Sequence, residues 1–579
     1  MTLSSGASSD ETTPSSSGTT PGPATDPGPD ADSGAAPGGG LFAGLRLVTA
    51  PGAASGGGGA AGGDGGPARP RAPRFADAAR TALADPRLRR NLAGVAAAMR
   101  ARRAAAVATT PDWEELREAG RAIKDQTLLN LDTYLEELER SVTEAGGEVH
   151  WAADAAEARR IITRLVRDTG EDRVLKARSS VLGEIRLDDA LHRAGITVHE
   201  TGLGELIVGL DEDDAPSHPL FPALHKNRAQ IRELFVQRLP GAPADLAPEP
   251  AALAEAARAR LRGPMLTAGV AVCGANFLVA ETGTAVLVES QGNGRMCLTL
   301  PDTLITVAGI EKVVPSWADL EVFLQLLPRS ATGERMNAAT STWTGVTPGD
   351  GPAAFHLVLL DNGRTSVLAD EAGRAALRCI RCSACLDVCP VYERTGGHPY
   401  DAVAGAATPG RGRGAVYPGP IGAVLTPHMR GVESAANASL PYASTLCGAC
   451  SDVCPVKIDI PDLLVRLRGT VVESRRRRPV PTPELALMRT LAWTMGDRRR
   501  YETALRRGTR WARLLSRGGR IRRLPGLLGR WTDARDLPAP PRQSFRAWWA
   551  SRPGGSARPG AAVRRRGASP PGGAAGERR

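Results

Sequence analysis

The sequence predicts a two-part fold: an α/β domain on a mainly parallel sheet, then a helical, cysteine-rich domain with a basic helical region behind it. Three patterns predict it. From 148 to about 325, short apolar runs rich in β-branched residues alternate with amphipathic segments, which is the order of βαβ units. Seven of the nine cysteines then fall between Cys379 and Cys454. After 468 the arginines crowd together, at Arg475–Arg478, Arg498–Arg500, Arg506-Arg507 and Arg522-Arg523.

The 579 residues are enough for several domains. Residues 1–74 are almost all Gly, Ala, Ser, Thr, Pro and Asp. Such a stretch buries too little apolar area to offset its ordering entropy, so disorder is expected. It lacks a basic stretch followed by an apolar one, so no secretory leader is read there. Arg102-Arg103 lies too far from Met1, in charged helical sequence, for a twin-arginine signal. Residues 75–147 read as a helical part of the α/β region, with Thr110 as a cap and a stop at Gly146-Gly147. Residues 148–368 form the α/β domain proper. Within it CGANFLVAETGTAVLVES reads as strand, turn and strand with Gly283 at the turn, and HLVLLDNG at 356–363 as a final strand closing in a turn. Residues 369–467 form the cysteine domain, with a surface insert at about 404–414. Residues 468–550 are basic and helical, and 551–579 read as a disordered tail.

The formal charge of +11 concentrates in that basic region. Such a region can serve nucleic acid, an anionic membrane surface or an acidic protein partner. The plainer expectation is Arg-rich helices whose Trp493, Leu505, Trp511 and Leu514 face a core. The aromatic interleaving of a base-stacking platform is missing, as is any DNA-binding motif, so no nucleic acid partner is expected. No run of about 18 apolar residues occurs, so no transmembrane segment is expected; peripheral docking at the inner face of a membrane stays open. The expected compartment is the cytoplasm. There, clustered cysteines favour metal over disulfides.

The first cysteine group is Cys379-Ile-Arg-Cys382-Ser-Ala-Cys385-Leu-Asp-Val-Cys389-Pro390. This is the C-x2-C-x2-C-x3-C-P run of two-cluster ferredoxins. Three thiolates at two-residue gaps on a tight loop each reach a different iron of one cubane. The fourth opens a helix leading away and points to the other cluster, and proline suits that helix start. The second group, Ser444-Thr-Leu-Cys447-Gly-Ala-Cys450-Ser-Asp-Val-Cys454-Pro455, is the same run with serine first. Crossed ligation then assigns Cys379, Cys382, Cys385 and Cys454 to cluster one, and Cys389, Cys447 and Cys450 to cluster two. The fourth ligand of cluster two is open: Ser444, water or another oxygen, or a [3Fe-4S] cluster with none. Structural zinc prefers closed sites of two separated knuckles, which overlapping runs suit poorly. Two [4Fe-4S] clusters are therefore the expected cofactors of a ferredoxin-like domain. Neighbouring cubanes relay single electrons, and Arg381 inside the first loop is expected to raise the potential there.

At CIRCSACLDVCPVYERTGGHPY, VYPGPIGAVLTP and LPYASTLCGACSDVCPVKIDIPDLL the chain closely resembles the lactate utilization protein B family, the iron–sulfur subunit of bacterial L-lactate oxidation. Serine at 444 belongs to that pattern. The resemblance extends through PSHPLFPALHKNRAQI, GANFLVAETGTAVLVES, LPRSATGE and FHLVLLDNGR to LPAPPRQSFRAWW, covering roughly 75–550. It implies a lactate-utilization (LUD) domain of the NagB/RpiA/CoA-transferase-like α/β kind, followed by the two-cluster domain. It implies as partners an A-type cysteine-rich subunit and a C-type LUD subunit, which together oxidise lactate to pyruvate. The chain departs from the family at Lys176-Ala-Arg178-Ser179-Ser180, at Glu200-Thr-Gly202-Leu-Gly204-Glu205 and at Leu300-Pro-Asp302-Thr-Leu304-Ile. The cluster ligands are untouched, whereas any inherited LUD ligand site is less secure.

Arg178, Ser179 and Lys226 converging on a carboxylate would make a coherent anion site, with His218 and His225 nearby in sequence. Glu281 and Thr282, in a Gly-containing turn at strand ends, could meet a ligand at a sheet edge. The plainer readings are loop residues and a hairpin turn with a solvated glutamate. No phosphate-cradling loop is present. The first functional expectation is an electron-transfer subunit of a lactate-oxidising complex, not a catalyst alone. The second is an oxidoreductase binding its own hydroxy acid in the LUD domain, and the third a nucleic-acid-binding iron–sulfur protein.

Overall fold

The computed structural model describes residues 72–211, 214–401, 416–477, 482–533 and 535–552. The low-complexity extension up to 71, the insert at 404–414 and the tail from 553 lie outside the described residues. Ten strands lie between 148 and 360: β1 (Glu148–Ala152), β2 (Arg173–Lys176), β3 (Thr197–Glu200), β4 (Val270–Gly274), β5 (Phe277–Val279), β6 (Thr284–Glu289), β7 (Thr303–Gly309), β8 (Val313–Val314), β9 (Ala339–Trp343) and β10 (Ala354–Leu360).

Six of them form the main sheet in the order β1-β10-β7-β4-β2-β3, with every pairing parallel. Every residue of β4 and β7 is buried, as expected where helices cover both faces of a parallel sheet. The helix Ala155–Asp168 starts where the Asp154 side chain accepts from the Ala156 and Glu157 N–H groups. Its Ile162 and Val166 pack with Val307, Val358 and Leu360 on one face. On the other face Leu138 and Val142, from the helix Leu131–Glu144, pack with Leu304, Leu357 and Leu359.

The run GVAVCGANFLVAE divides between two sheets. After β4 the chain breaks at Ala275-Asn276, where the Asn276 side chain accepts from Val288 N–H. β5 then joins a second sheet of order β8-β5-β6-β9, antiparallel at β5-β6 and β6-β9. The strand β9 was not marked by apolar alternation, since its sequence is ATSTW. Gly283 makes the β5–β6 turn with φ 68°, and a Cβ there would lie 2.6 Å from Val142 N. Gly283→Ala is expected to cost at least about 1–2 kcal/mol from the left-handed backbone alone. A lower midpoint in denaturant unfolding reads it; an unchanged midpoint would show that the turn relaxes freely.

The N-terminal helices Phe75–Ala84, Pro86–Ala108 and Trp113–Leu129 reach the cysteine region. Phe75 N–H donates to Ser439 Oγ at 2.8 Å, and its ring packs edge-on against Tyr400. Thr110 does not cap a helix. Its hydroxyl donates to Ala106 O at 3.1 Å and accepts from Arg329 Nε at 3.0 Å, so it is committed to a tertiary contact. One core holds Trp113, Phe323 and Leu326 together with Leu386, Ile421 and Leu463, joining the α/β and cysteine regions.

The basic region differs from expectation. Its helices Pro483–Met495 and Arg498–Leu514 have no buried residue. Trp493, Trp511 and Leu514 are 63%, 69% and 77% exposed, while Leu505 is half-buried. The described chain offers these helices no apolar surface to cover them. Arginine partly does so instead, as the Arg500 guanidinium lies 4.3 Å over the Trp493 ring.

Candidate iron–sulfur site

Two short loops carry the thiols, and their backbones repeat one conformation. Arg381 and Ser383 flank Cys382 with φ 62° and 66°, and Leu446 and Gly448 flank Cys447 with φ 56° and 88°. Three of these four residues are not glycine, and non-glycine residues accept such angles only where the surroundings impose them. Alternating left- and right-handed residues turn successive N–H groups inward, a concavity that suits an anion or an iron–sulfur centre. A helical turn follows each loop, at Ala384–Asp387 and Ala449–Asp452. Backbone N–H groups also reach the sulfurs, as from Tyr392 to Cys389 Sγ at 3.5 Å.

One cavity of about 590 Å³, counting its open mouth, is lined by Cys379, Cys382, Cys385 and Cys454. Burial, then the fields of Cys454 and Cys379, push the Cys382 thiol up. Burial also pushes up Cys389, where Cys447 is a further contributor, and Cys450, where Cys389 and Cys447 contribute and the value reaches about 12. Cys385 feels Cys382 and Cys379 as well as Cys450.

Each group is buried except at one thiol: Cys379 is half-buried beside buried Cys382, Cys385 and Cys454, and Cys447 is exposed beside buried Cys389 and Cys450. Cys447 is lowered, first by the Ala449 N–H and then by the Thr445 side chain. Ser444 is half-buried, and its Oγ accepts from Leu446 N–H at 3.1 Å.

Cations converge on the first group from afar. Arg117 donates twice to Cys454 O, at 3.0 and 2.9 Å, and Arg103 Nη2 donates to Val453 O at 3.0 Å. Burial lowers Arg103, while Cys382 and Cys454 pull it back up. Arg103 Nε and Arg381 Nη1 are buried without a hydrogen-bond partner, and unpaired buried donors call for an acceptor. Thiols in two sets, inward N–H groups and unpaired guanidinium N–H groups beside them fit anionic iron–sulfur cubanes.

A buried charge chain ties this site to the main sheet. Arg381 lies 4.1 Å over the Tyr417 ring and 3.5 Å from Glu311, just past β7. Arg364, just past β10, pairs with Glu311 at 2.5 Å and with Glu184 at 2.9 Å. Tyr417 OH also donates to Glu184. Burial drives the Glu311 carboxyl upward, but Arg364, Arg381 and Lys312 outweigh it and leave it at about 2. Ser180 and Pro219 of the α/β domain line the same cavity as the cysteines.

The α/β candidates are each engaged by partners of their own. Arg178 pairs with Glu205. Ser179 caps the helix Ser180–Glu184 and packs where a Cβ on Gly274 would collide with it. Lys226 Nζ pairs with Asp211 at 2.7 Å and Asp214 at 2.9 Å. Glu281 accepts from Trp317 N–H at 3.3 Å, and Thr282 Oγ1 from Trp317 Nε1 at 3.1 Å. His218 Nδ1 accepts from the Leu220 and Phe221 N–H groups, and burial holds its pKa down at about 3. His225 bridges Ser217 Oγ and Asp214. The loop carrying these residues clamps the cysteine region, since Tyr392 OH donates to Ser217 O at 2.7 Å and His398 Nε2 meets Ala215 O at 2.8 Å.

Arg103, Arg117, Glu311, Arg364 and Tyr417 carried no motif of their own in the sequence. The Arg102-Arg103 pair, the Arg in FHLVLLDNGR and the Tyr in VYPGPIGAVLTP were the only visible signals of such roles.

Comparison with known proteins matches these two regions separately. Residues 135–354 match the LUD domain and residues 375–458 match the 4Fe-4S dicluster domain. Lactate utilization protein B of Oceanobacillus iheyensis is 42% identical over 444 residues, covering 76% of this chain and 88% of that protein. The chain belongs to the lactate utilization protein B family. The Bacillus subtilis member is 39% identical over 472 residues, with 80% and 93% covered. The Macrococcus caseolyticus member is 40% identical over 487 residues, with 83% and 97% covered. A DUF162 family protein from Deinococcus radiodurans has a crystal structure that aligns over 40% of this chain and 98% of its own, at 13% identity and TM-score 0.22. As the dicluster match indicates, this family member carries two [4Fe-4S] clusters. No helix among the described residues is long and apolar enough to cross a membrane.

Proposed function

We propose that the chain is the electron relay of a lactate-utilization system, with cluster one on Cys379, Cys382, Cys385 and Cys454 and cluster two on Cys389, Cys447 and Cys450. The observation that carries this reading is the single cavity lined by all four cysteines of the first crossed set. Bound there, the clusters supply one-electron acceptance and release. The chain's own residues set the conditions. Arg103 and Arg381 hold positive charge beside the buried group and favour the reduced state, as do N–H groups aimed at sulfur. Exposed Cys447 makes the second group the outward end, where a partner exchanges electrons. Ser444, whose Oγ accepts from Leu446 N–H, is the residue that would complete the second group.

The partners are a cysteine-rich A-type subunit and a C-type LUD subunit, as relatives' names imply a system that uses lactate. The test is anaerobic reduction followed by visible absorption. Dithionite should bleach the protein alone, and lactate should bleach it only when the partner subunits are present. Bleaching by lactate with this chain alone would favour the second reading, in which the LUD domain binds the hydroxy acid itself. That reading draws on Ser180 and Pro219 bordering the cysteine-lined cavity.

A further inference from the structure

A second set of ligand atoms lies at the opposite end of the main sheet from the cysteines. Residues 148 and 150 of β1 share one face because side chains alternate along a strand. The register pairs Glu148 of β1 with His356 of β10, so the strand pairing itself assembles Glu148, His150 and His356. His150 Nε2 and His356 Nδ1 are 3.1 Å apart. Glu148 places one carboxylate oxygen 3.6 Å from His150 Nε2 and the other 3.3 Å from His356 Nδ1.

These spacings, from 3.1 to 3.6 Å with a different Glu148 oxygen toward each imidazole, bracket those of a coordination polyhedron. A tetrahedral ion with ligand bonds of about 2.0–2.1 Å separates its ligand atoms by about 3.3–3.4 Å. The two imidazoles are largely buried, at 8% and 16% side-chain exposure, while Glu148 is 64% exposed. A site with two inner nitrogens and a carboxylate toward solvent leaves its fourth position to water. Arg164, exposed on the covering helix, is a cation whose field reaches His150. Its exposure lets the side chain extend into water.

The other histidine cluster, Asp214 with His225 and His398, is filled differently. The Lys226 ammonium sits 2.9 Å from Asp214, both His225 nitrogens are hydrogen-bonded, and His398 faces a carbonyl. No cation of that kind pairs with Glu148 among the described residues.

We propose that Glu148, His150 and His356 bind a divalent transition-metal cation of the zinc type, with water as the fourth ligand. The ion pins the edge strand β1 to β10. Nitrogen–oxygen donor sets of this composition suit zinc and its first-row neighbours.

The test is equilibrium dialysis of the cluster-loaded protein against zinc(II), with zinc and iron counted in the same sample. The expected result is a single zinc per chain with iron unchanged. In the His150→Gln/His356→Gln double variant that zinc is lost while iron stays. Loss of even an outer partner of a metal ligand weakens binding about 10–100-fold, so Glu148→Gln should weaken zinc at least about tenfold. Zinc bound equally by wild type and double variant, or not bound by wild type, overturns the proposal and leaves a histidine–histidine hydrogen bond in its place. Should the double variant lose its iron, Glu148→Gln decides alone, because its side chain is exposed and its loss leaves the fold intact. Unchanged zinc affinity in that variant overturns the site.

Discussion

Cys385→Ala is expected to remove about half of the protein's iron, since each [4Fe-4S] cubane needs its cysteine thiolates. Cys385 is buried on the cavity that Cys379, Cys382 and Cys454 share. The visible absorption should fall in step with the iron, and folding should weaken because the three remaining thiols of that set, Cys379, Cys382 and Cys454, then lack their common partner. Cys273→Ala is the matched control. That thiol is buried in β4 beside Thr306 Oγ1 at 3.3 Å, and burial pushes it up to about 11, so it is inert. Iron analysis of the two variants decides the matter: equal iron in Cys385→Ala and wild type would sink the crossed ligation scheme.

Arg364→Met is expected to destabilise the protein by about 3–5 kcal/mol, the cost of stranding a buried charge partner. Arg364 and both of its carboxylate partners are at most 2% exposed in their side chains. Removing the guanidinium leaves Glu184 with only the Tyr417 hydroxyl and the Asn362 amide, and Glu311 with Arg381 at 3.5 Å as its remaining ion pair. Denaturant unfolding reads the loss. Replacing both glutamates with glutamine in the same variant should recover part of it, and no recovery would mean that packing, not charge, is at stake.

The same chain of charges sets an acid limit. Burial works against ionised Glu184, yet Arg364 and the hydrogen bonds to it leave its pKa lowered. Glu311 stands at about 2 in the folded protein, against an ordinary glutamate value near ~4.3 when unfolded. A folded pKa below the unfolded one contributes stability that is complete above the unfolded value. That contribution fades as pH falls from about 4.3 toward the folded value. Wild type should therefore lose stability over that window more steeply than the variant with both glutamates replaced.

Local patterns in the chain were enough for much of the fold. The six parallel strands, the helices at 155–168, 187–193, 228–238 and 250–267, and the Gly283 turn all follow from apolar periodicity and turn chemistry. The cysteine loops were legible because their spacing is short enough to be set by the loop backbone alone. Three features were not legible. The division of GVAVCGANFLVAE between two sheets depends on Asn276 binding β6. The role of Thr110 depends on Arg329, and the exposure of Trp493, Trp511 and Leu514 depends on what the rest of the chain offers them. An amphipathic pattern names a face to be covered, and only the assembled molecule supplies or withholds the cover.

By itself the sequence determined the two cysteine runs, the family they belong to and the order of strands and helices, because each of these is written within a few turns of chain. The tertiary structure alone decided that Arg103 and Arg117 stand beside Cys454, that Arg364 joins Glu184 to Glu311, and that His150 meets His356. Residues about 50 to 350 positions apart become neighbours only through sheet order and helix packing, and no local rule encodes those distances.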